Sequence, residues 1–271
     1  LYKGESLAEP WRGDWNDCVR WERDGHSYHA QTAPSDESYI QQLRAGYYAA
    51  ITHMDHQIGR LVSALVEEQI MDNTIILFVS DHGEMLGEHG LWFKMNFFEQ
   101  SARVPMMIAA PGMAPGRVDT PVSTVDVLPT LCELAGISIA EIAPWIDGRS
   151  LAQGAETRGP VAMEYAAEGS IAPLVCLRDG DWKYIACEAD PEMLFNLAID
   201  PGERVNVAGH PGAAEVMERM RRELADVRSP LAPGLPSLKE LGEIYERQTG
   251  TKVSKSGLKH RFIRIHDLAE K

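Results

Sequence analysis

A long amphipathic helix that leads directly into a buried strand constrains the fold of this chain more than any other feature. From Ser38 to Met71, apolar side chains recur in steps of three and four, the spacing of one helical face. Such a helix spans about 50 Å and needs a broad sheet to pack on. Thr74–Ser80 follows as an uninterrupted β-branched and aromatic run, which is typical of a strand buried on both faces.

A second strand and a capped helix extend this alternation. Residues 104–110 form another apolar run of strand length. Ser123 and Asp126 have the S-x-x-D spacing of a capping pattern, and the helix that they start ends at Gly136. Strand, loop, strand and helix in this order predict an α/β fold, with a large mixed and mainly parallel sheet sandwiched by helices. We assign residues 1–143 to this α/β part.

The remaining sequence consists of shorter apolar runs separated by Gly and Pro. Four of these runs predict short strands of an antiparallel sheet. They are Val161–Tyr165, Leu174–Leu177, Trp182–Ala186 and Met193–Leu197. Helical spacing returns over residues 213–227. Residues 144–271 are therefore predicted to form a smaller C-terminal α+β subdomain and tail, of which residues 237–271 match no recognisable pattern.

The charge of the chain excludes some classes of partner. With 26 basic and 40 acidic side chains, the net charge is −14 and the pI is near 5.1. Nucleic acids and anionic membrane surfaces attract clustered Lys and Arg, so we expect neither as a partner. No apolar run reaches the roughly 18–20 residues that a transmembrane helix needs. A small anionic substrate stays compatible with this charge if a local cation offsets the field, and a homo-oligomer stays open.

Few features bear on the cellular compartment. The sequence starts at Leu1 without a basic-then-apolar leader, so a cytoplasmic location is favoured over a periplasmic one. The four cysteines lie far apart and form no CxxC pair. They are Cys18, Cys132, Cys176 and Cys187. We expect buried thiols, and a disulfide between Cys176 and Cys187 on adjacent strands is the alternative.

Asp81-His82-Gly83 follows the first predicted strand directly. Open α/β sheets bind ligands in the crevice at the carboxyl ends of their strands, where this carboxylate and imidazole would lie. Asp suits calcium or magnesium, and His shifts the preference towards manganese or zinc. Two adjacent ligands are too few for a complete site, so a hydrogen-bonded turn without metal is the alternative interpretation.

A loop rich in glycine and aromatic residues comes next, over residues 87–94. It contains Lys94, whose ammonium is a compact point charge suited to sulfate or phosphate oxygens. It also contains His89, whose imidazole is able to take or deliver a proton at neutral pH. Taken alone, each of the two residues also fits an ordinary surface position.

Four stretches together carry a resemblance to a known family. They are YYAAITHMDHQIGRLVSAL, NTIILFVSDHGEMLGEHGLWFKMNFFEQSARVPMMIAAPG, VSTVDVLPTLCELAGI and MLFNLAIDPGERVNVA. Over about residues 45–210 the chain resembles the sulfatase branch of the alkaline-phosphatase superfamily, especially its choline-sulfatase-like and iduronate-sulfatase-like members. The resemblance implies a metal-dependent sulfuric-ester hydrolase that acts on a small-molecule sulfate ester.

The resemblance also assigns roles to individual residues. It makes Asp81 and His82 two of the metal ligands, with Ca²⁺ as the first expectation and Mn²⁺ as the alternative because of His82. It makes Lys94 the catalytic and substrate-binding lysine that contacts the anionic oxygens of the ester. His89 is placed beside the substrate as a candidate catalytic residue, and Trp92 as a wall of the substrate pocket. On the same segment, Glu99 and Arg103 are expected either to support the site residues without touching the substrate or to be structural.

The family's nucleophile, a formylglycine made from the cysteine or serine of a C-x-P-S-R motif, has no counterpart here. None of the four cysteines has that context. The resemblance thus implies that the chain is the C-terminal portion of a sulfatase, and that these 271 residues alone are inactive. A phosphonate monoester or phosphodiester hydrolase of the same superfamily is one alternative. A non-catalytic metal-binding module or degenerate homologue is another.

Overall fold

The computed structural model describes residues 37–143, 146–154, 159–165, 173–187 and 190–228. Its helices and strands are, in chain order, α1 (Glu37–Glu67), β1 (Ile76–Val79), α2 (Glu99–Ala102), β2 (Met106–Ala109), α3 (Val127–Leu134), α4 (Ile139–Ile142), β3 (Val161–Tyr165), β4 (Leu174–Asp179), β5 (Trp182–Cys187), β6 (Asp190–Asn196) and α5 (Ala214–Arg228). Strands and helices alternate in the first part, as expected of an α/β fold. None of the described helices is both long and apolar enough to cross a bilayer.

Both described sheets lie in one compact unit that ends at Met220, and the rest of α5 belongs to a second unit. The predicted division after residue 143 stays a prediction. The predicted tail at residues 237–271 lies outside the described residues, as do Cys18 and the start of the chain.

The pairing of β1 with β2 differs from the prediction. The two strands are antiparallel, with Ile76 opposite Ala109 and Val79 opposite Met106. A mixed and mainly parallel sheet was predicted, but no described strand pairs in parallel, and the large parallel sheet is not found among the described residues. The antiparallel pairing follows from the connection, because residues 80–105 reverse direction through a loop and the single turn of α2, whereas a parallel pair needs a crossover. The side chains of β1 are half-buried, not fully buried as predicted.

Helix α1 forms as the periodicity predicts, but most of its apolar face is exposed. Its buried residues are Ile40 and Arg44, near the start of the helix. Exposed apolar side chains include Tyr47, Ile51, Met54 and Leu61. The expected packing of the whole face on a sheet is not found among the described residues. β1 and β2 have four residues each and span about 13 Å, which is far shorter than this helix of 31 residues.

The start of α1 holds the loop that follows β1. The guanidinium of Arg44 donates a hydrogen bond of 2.8 Å to the carbonyl of Leu86 and lies 3.8 Å from the carboxylate of Glu88. Arg44 itself is buried. A buried guanidinium hydrogen-bonded to a carbonyl fixes the direction of that backbone more firmly than apolar contact alone. Helix α1 therefore orients the segment on which the candidate site is built.

Ser123 and Asp126 form the capping box that the sequence predicts. The Ser123 hydroxyl accepts from the Val125 amide, and the Asp126 carboxylate accepts from the Ser123 amide at 2.9 Å. The capped turn is a 3₁₀ turn that runs into α3, so the helix begins slightly later than the cap suggests. Gly136 ends it with a φ of 72°, a left-handed conformation that favours glycine.

Strands β3 to β6 form an antiparallel sheet in sequential order, as predicted. Its inner face packs against the loop after β1 in one hydrophobic cluster. The cluster includes Met85, Leu91, Met95, Phe97 and Phe98 from the loop, and Leu174, Cys176, Ile185, Met193 and Phe195 from the sheet. The loop after β1 therefore packs on the C-terminal sheet.

The described cysteines are buried free thiols, as expected. They are Cys132, Cys176 and Cys187. In the sheet register, Cys176 lies opposite Ile185 and Cys187 lies opposite Leu174, so the alternative disulfide between them does not form. Burial raises the pKa of Cys176 to about 12, which keeps this thiol protonated and unreactive at neutral pH.

The core between loop and sheet also encloses a histidine. His89 is 1% exposed, and its ring stacks on Phe98 with a centroid distance of 3.9 Å and an interplanar angle of 12°. Burial lowers the pKa of His89 from 6.5 to about 4, although a hydrogen bond to the Gly202 backbone and the charge of Asp200 act in the opposite direction. The imidazole is therefore neutral at pH 7.

This depressed pKa predicts a pH-dependent stability. In the unfolded chain His89 binds a proton below about pH 6.5, whereas in the folded protein it does so only near pH 4. The contribution of this group to the free energy of unfolding is therefore fully present above pH 6.5 and is lost as the pH falls towards 4, by up to about 1.4 kcal/mol per pH unit. Urea unfolding of His89→Gln at pH 7 and pH 5 is expected to show a smaller pH effect than the parent protein. Equal pH effects in the two proteins would contradict the prediction, and His53→Gln on the exposed side of α1 is the matched control.

Candidate active site at the end of β1

The turn that follows β1 presents a carboxylate and an imidazole side by side. The Ser80 hydroxyl donates to the His82 carbonyl at 2.8 Å, and the His82 amide donates to Oδ1 of Asp81 at 2.9 Å. This backbone hydrogen bond lowers the pKa of Asp81, although slight desolvation acts against it. The side chain of Asp81 is 84% exposed, so the ionised carboxylate is open to a ligand.

The ring of His82 is oriented by its own backbone. Its Nδ1 lies 2.8 Å from the carbonyl oxygen of Gly83, which is only able to accept, so Nδ1 carries the proton. Nε2 lies 3.4 Å from Oδ2 of Asp81. An imidazole whose second nitrogen donates to a carbonyl, next to a carboxylate, is the donor arrangement common in metal sites. The two residues fit a divalent ion, but no group of three such ligands occurs among the described residues.

Gly83 allows this turn to lie directly against α2. Its amide donates to the carbonyl of Ser101 at 2.7 Å. A Cβ at this position would lie 1.9 Å from the carbonyl oxygen of Gln100, a distance that no side chain tolerates. Only glycine permits this approach, so the turn carrying Asp81 and His82 is packed onto the segment that follows Lys94.

The segment between Gly83 and Lys94 closes into a compact loop. The carboxylate of Glu84 accepts hydrogen bonds from the amides of Phe93, at 2.6 Å, and Leu86, at 3.3 Å. The Met85 amide donates to the Phe93 carbonyl at 2.8 Å. These hydrogen bonds bring the end of the loop at Phe93 back to its beginning at Glu84 and Met85. The next residue, Lys94, is exposed. The positive charge of its ammonium adds a minor contribution to the lowered pKa of the Asp81 carboxyl.

The backbone of this loop is strained. Leu86, His89 and Phe93 have φ values of 48°, 54° and 67°, in the left-handed region that non-glycine residues rarely adopt. Such conformations cost on the order of 1–3 kcal/mol each and persist only where surrounding contacts enforce them. The backbone conformation of the loop is therefore intrinsically unfavourable for these residues and depends on contacts with the rest of the protein.

The other predicted site residues occupy different surroundings. Trp92 is half-buried beside Lys94, and its indole Nε1 is buried without a hydrogen-bond partner among the described residues. Its role as a pocket wall stays a prediction. His89 lies in the core against Phe98 and the Gly202 backbone, contacts that hold the loop, and its catalytic role also stays a prediction. Arg103 is exposed just before β2.

An ionic cluster that the sequence did not predict lies behind the loop. The ammonium of Lys183, on β5, lies 2.5 Å from the carboxylate of Glu99 and 2.9 Å from that of Glu203. Glu99 was expected to support the site residues or to be structural, and its contacts agree. Glu203 lies in the stretch MLFNLAIDPGERVNVA, whose resemblance to the family was the one sequence feature that singled out this region. Nothing in the local sequence distinguishes Lys183.

Comparison with known proteins identifies the family of this chain. A family model described as Sulfatase matches residues 15–137, and one described as N-sulphoglucosamine sulphohydrolase, C-terminal, matches residues 87–230. The choline-sulfatase of Rhizobium meliloti (strain 1021) is 55% identical over 178 residues, which cover 65% of this chain and 35% of that protein. The arylsulfatase of Clostridium perfringens (strain 13 / Type A) is 36% identical over 217 residues, covering 73% of this chain and 44% of that protein.

A solved structure is similar as well. The phosphonate monoester hydrolase from Silicibacter pomeroyi has a TM-score of 0.64 and 32% sequence identity, and the match covers 72% of this chain and 42% of that one. The chain thus spans between about a third and a half of the length of these proteins. The two family models together extend from residue 15 to residue 230 and include the whole candidate site. The chain belongs to the sulfatase family.

Proposed function

We propose that this protein hydrolyses small sulfate esters, with a divalent ion and the Lys94 ammonium binding the anionic oxygens of the substrate. One observation carries the proposal: an exposed carboxylate and an imidazole lie side by side at the end of β1, and hydrogen bonds through Ser101 join the backbone of the exposed Lys94 to this turn. A sulfate ester needs this combination of positive charges, because its non-bridging oxygens gain charge as the ester bond breaks.

Asp81 and His82 would hold the divalent ion. Ca²⁺ is the first candidate, since carboxylate oxygens suit it, and Mn²⁺ is the alternative because of the imidazole. When bound, the ion would supply positive charge to the ester oxygens. The remaining ligands would come from residues outside those that the structure describes.

Lys94 would hold the sulfate group against this site. The chain has a net charge of −14, so a sulfate ester meets an unfavourable long-range field that only a local cation offsets. Lys94 has an exposed side chain, and its carbonyl accepts a hydrogen bond from the Ser101 hydroxyl. Its backbone is therefore fixed while its ammonium is free to reach an anion.

The nucleophile would lie outside the described residues, as the formylglycine of the family implies. The described cysteines are unsuited to the role, because all three are buried and Cys176 is held protonated. His89 would transfer a proton to the leaving group only after its ring, which is 1% exposed, becomes accessible.

Choline sulfate is the first substrate to test, because the relative with 55% identity is named a choline-sulfatase. A phosphonate monoester is the second candidate class, which the likeness to the phosphonate monoester hydrolase favours. Full-length protein assayed against choline sulfate, an aryl sulfate and an aryl phosphonate monoester distinguishes these classes. Faster hydrolysis of the phosphonate than of both sulfates would overturn the preference for sulfate esters.

Removal of the Lys94 ammonium tests its role. Lys94→Met in the full-length protein is expected to lower kcat/KM for the sulfate ester by about 100-fold, because a charge that stabilises the anionic oxygens is lost. Arg117→Met is the matched control. Arg117 is exposed, lies outside the loop and forms an ion pair of 2.9 Å with Asp119. Full activity of the Lys94 variant would refute the assigned role.

Metal affinity tests Asp81 and His82 independently of turnover. Titration calorimetry with Ca²⁺ and with Mn²⁺ is expected to show that Asp81→Asn and His82→Ala each weaken binding by about tenfold or more, because each removes one ligand. Asp119→Asn, another exposed carboxylate, is the control and is expected to change nothing. Unchanged metal affinity in both site variants would contradict the metal-binding role of Asp81 and His82. It would support the alternative of a hydrogen-bonded turn without metal.

Gly83→Ala tests the contact between the turn and α2. The new Cβ would lie 1.9 Å from the Gln100 carbonyl, so the turn has to move, at a cost of about 1–3 kcal/mol in the free energy of unfolding. We expect kcat/KM to fall by about 100-fold with the displaced site residues. Gly116→Ala is the control, because its Cβ would meet nothing within 4 Å. Equal behaviour of the two variants in melting and activity assays would contradict this account.

A further inference from the structure

A buried ionic cluster joins the C-terminal sheet to the loop that carries Lys94. The Lys183 side chain is 1% exposed, and its ammonium contacts three oxygens: the carboxylates of Glu99, at 2.5 Å, and Glu203, at 2.9 Å, and the carbonyl of Phe97, at 2.9 Å. Burial by itself would lower the pKa of Lys183. The nearby negative charges, that of Glu203 above all, have the larger combined effect and raise the pKa, so the ammonium stays charged. We call Lys183, Glu99 and Glu203 the Lys183 cluster.

Glu203 makes a second contact that defines its direction. Its other carboxylate oxygen accepts a hydrogen bond of 2.6 Å from the Glu99 amide. Glu203 itself is held in a tight turn, with a φ of 54° and its amide donating to the Asp200 carbonyl at 3.1 Å. The carboxylate of Asp200 closes the turn by accepting from the Val205 amide at 2.8 Å. The turn is thus rigid, and it fixes the backbone at Glu99.

The same turn reaches the other end of the loop. The His89 ring hydrogen-bonds to the Gly202 backbone and stacks on Phe98. The turn over residues 200–204 therefore contacts the segment 89–99 at both of its ends. Lys94 lies in the middle of that segment and is exposed. A loop held at both ends leaves its central residue few alternative positions.

A hydrogen-bond relay continues from the Lys183 cluster into the candidate site. Glu99 begins α2, and the hydroxyl of Ser101 in that helix donates to the carbonyls of Lys94 and, at 3.0 Å, Asn96. The carbonyl of Ser101 accepts from Gly83 at 2.7 Å. Displacement of Glu99 would therefore move both the lysine and the turn with the metal-ligand candidates.

Stability alone does not explain two fully buried charged groups, Lys183 and Glu203, beside the partly buried Glu99. Desolvation of buried ions costs several kcal/mol each, and apolar replacements of similar size are often neutral or stabilising. An ionic cluster fixes the relative orientation of the segments that it joins, because its hydrogen bonds are all satisfied in one geometry only. The strained backbone of the loop needs such directional contacts.

We propose that Lys183 and Glu203 are positioning residues for catalysis, which hold the segment 89–99 so that Lys94 faces the ligand site at Asp81. The inference rests on the proposed function. It assigns to the C-terminal sheet a role in setting the geometry of the active site. Neither residue touches the substrate, since both are buried in the core.

A double-mutant cycle in full-length protein tests the proposal. Glu203→Gln keeps the size of the side chain and removes its charge, and it is expected to lower kcat/KM for the sulfate ester by about 10- to 100-fold. In a Lys94→Met background the same change is expected to cause little further loss, because its effect passes through Lys94. Additive losses would overturn the proposal, since a general structural defect affects both backgrounds equally.

Hydrogen exchange supplies a readout that does not depend on activity. Amides of residues 90–96 are expected to exchange faster in Glu203→Gln and Lys183→Met than in the parent protein. Arg219→Met is the matched control, because it breaks the ion pair with Asp179 between α5 and β4, away from the loop. Unchanged exchange in Glu203→Gln overturns the positioning role. Parent protein without sulfatase activity would instead refute the proposed function, while the exchange experiment would still decide whether the cluster holds the loop.

Discussion

The close approach of Gly83 to α2 is the contact on which the candidate site depends. Its amide binds the Ser101 carbonyl, and the missing side chain leaves room for the Gln100 carbonyl. Because β1 and β2 are antiparallel, the end of β1 and the start of β2 meet at the same edge, with α2 between them. Hydrogen bonds through Ser101 thereby join the backbone of Lys94 to the turn that carries Asp81. A side chain at position 83 would separate the two halves of the site.

The second constraint comes from the C-terminal sheet. Apolar contacts between the loop and the sheet exclude water from their interface, which strengthens every electrostatic interaction inside it. Within this interface Lys183 bridges Glu99 and Glu203, and His89 is held neutral against Phe98. These contacts hold the loop in its strained backbone conformation. The sheet thus supports the loop that carries Lys94, a candidate site residue.

Much of this architecture follows from local sequence patterns. The four runs between Val161 and Leu197 formed the antiparallel strands that their length and turns predicted, because hairpin pairing depends on neighbouring segments. The capping box at Ser123 formed because its bonds span only three residues. The exposed apolar face of α1 was not predicted, since periodicity identifies an apolar face without identifying what covers it.

The sequence by itself determined the family, the helix and strand segments, and which side chains are chemically able to bind a metal or an anion, because these depend on residue type and short-range spacing. Only the tertiary structure decided the antiparallel pairing of β1 and β2, the burial of His89 and the cluster around Lys183. Lys183 and Phe97 are 86 residues apart in the chain, and Glu99 and Glu203 are 104 apart. No local period encodes a partner at such a distance, because the contact exists only after the sheet and the loop have packed together.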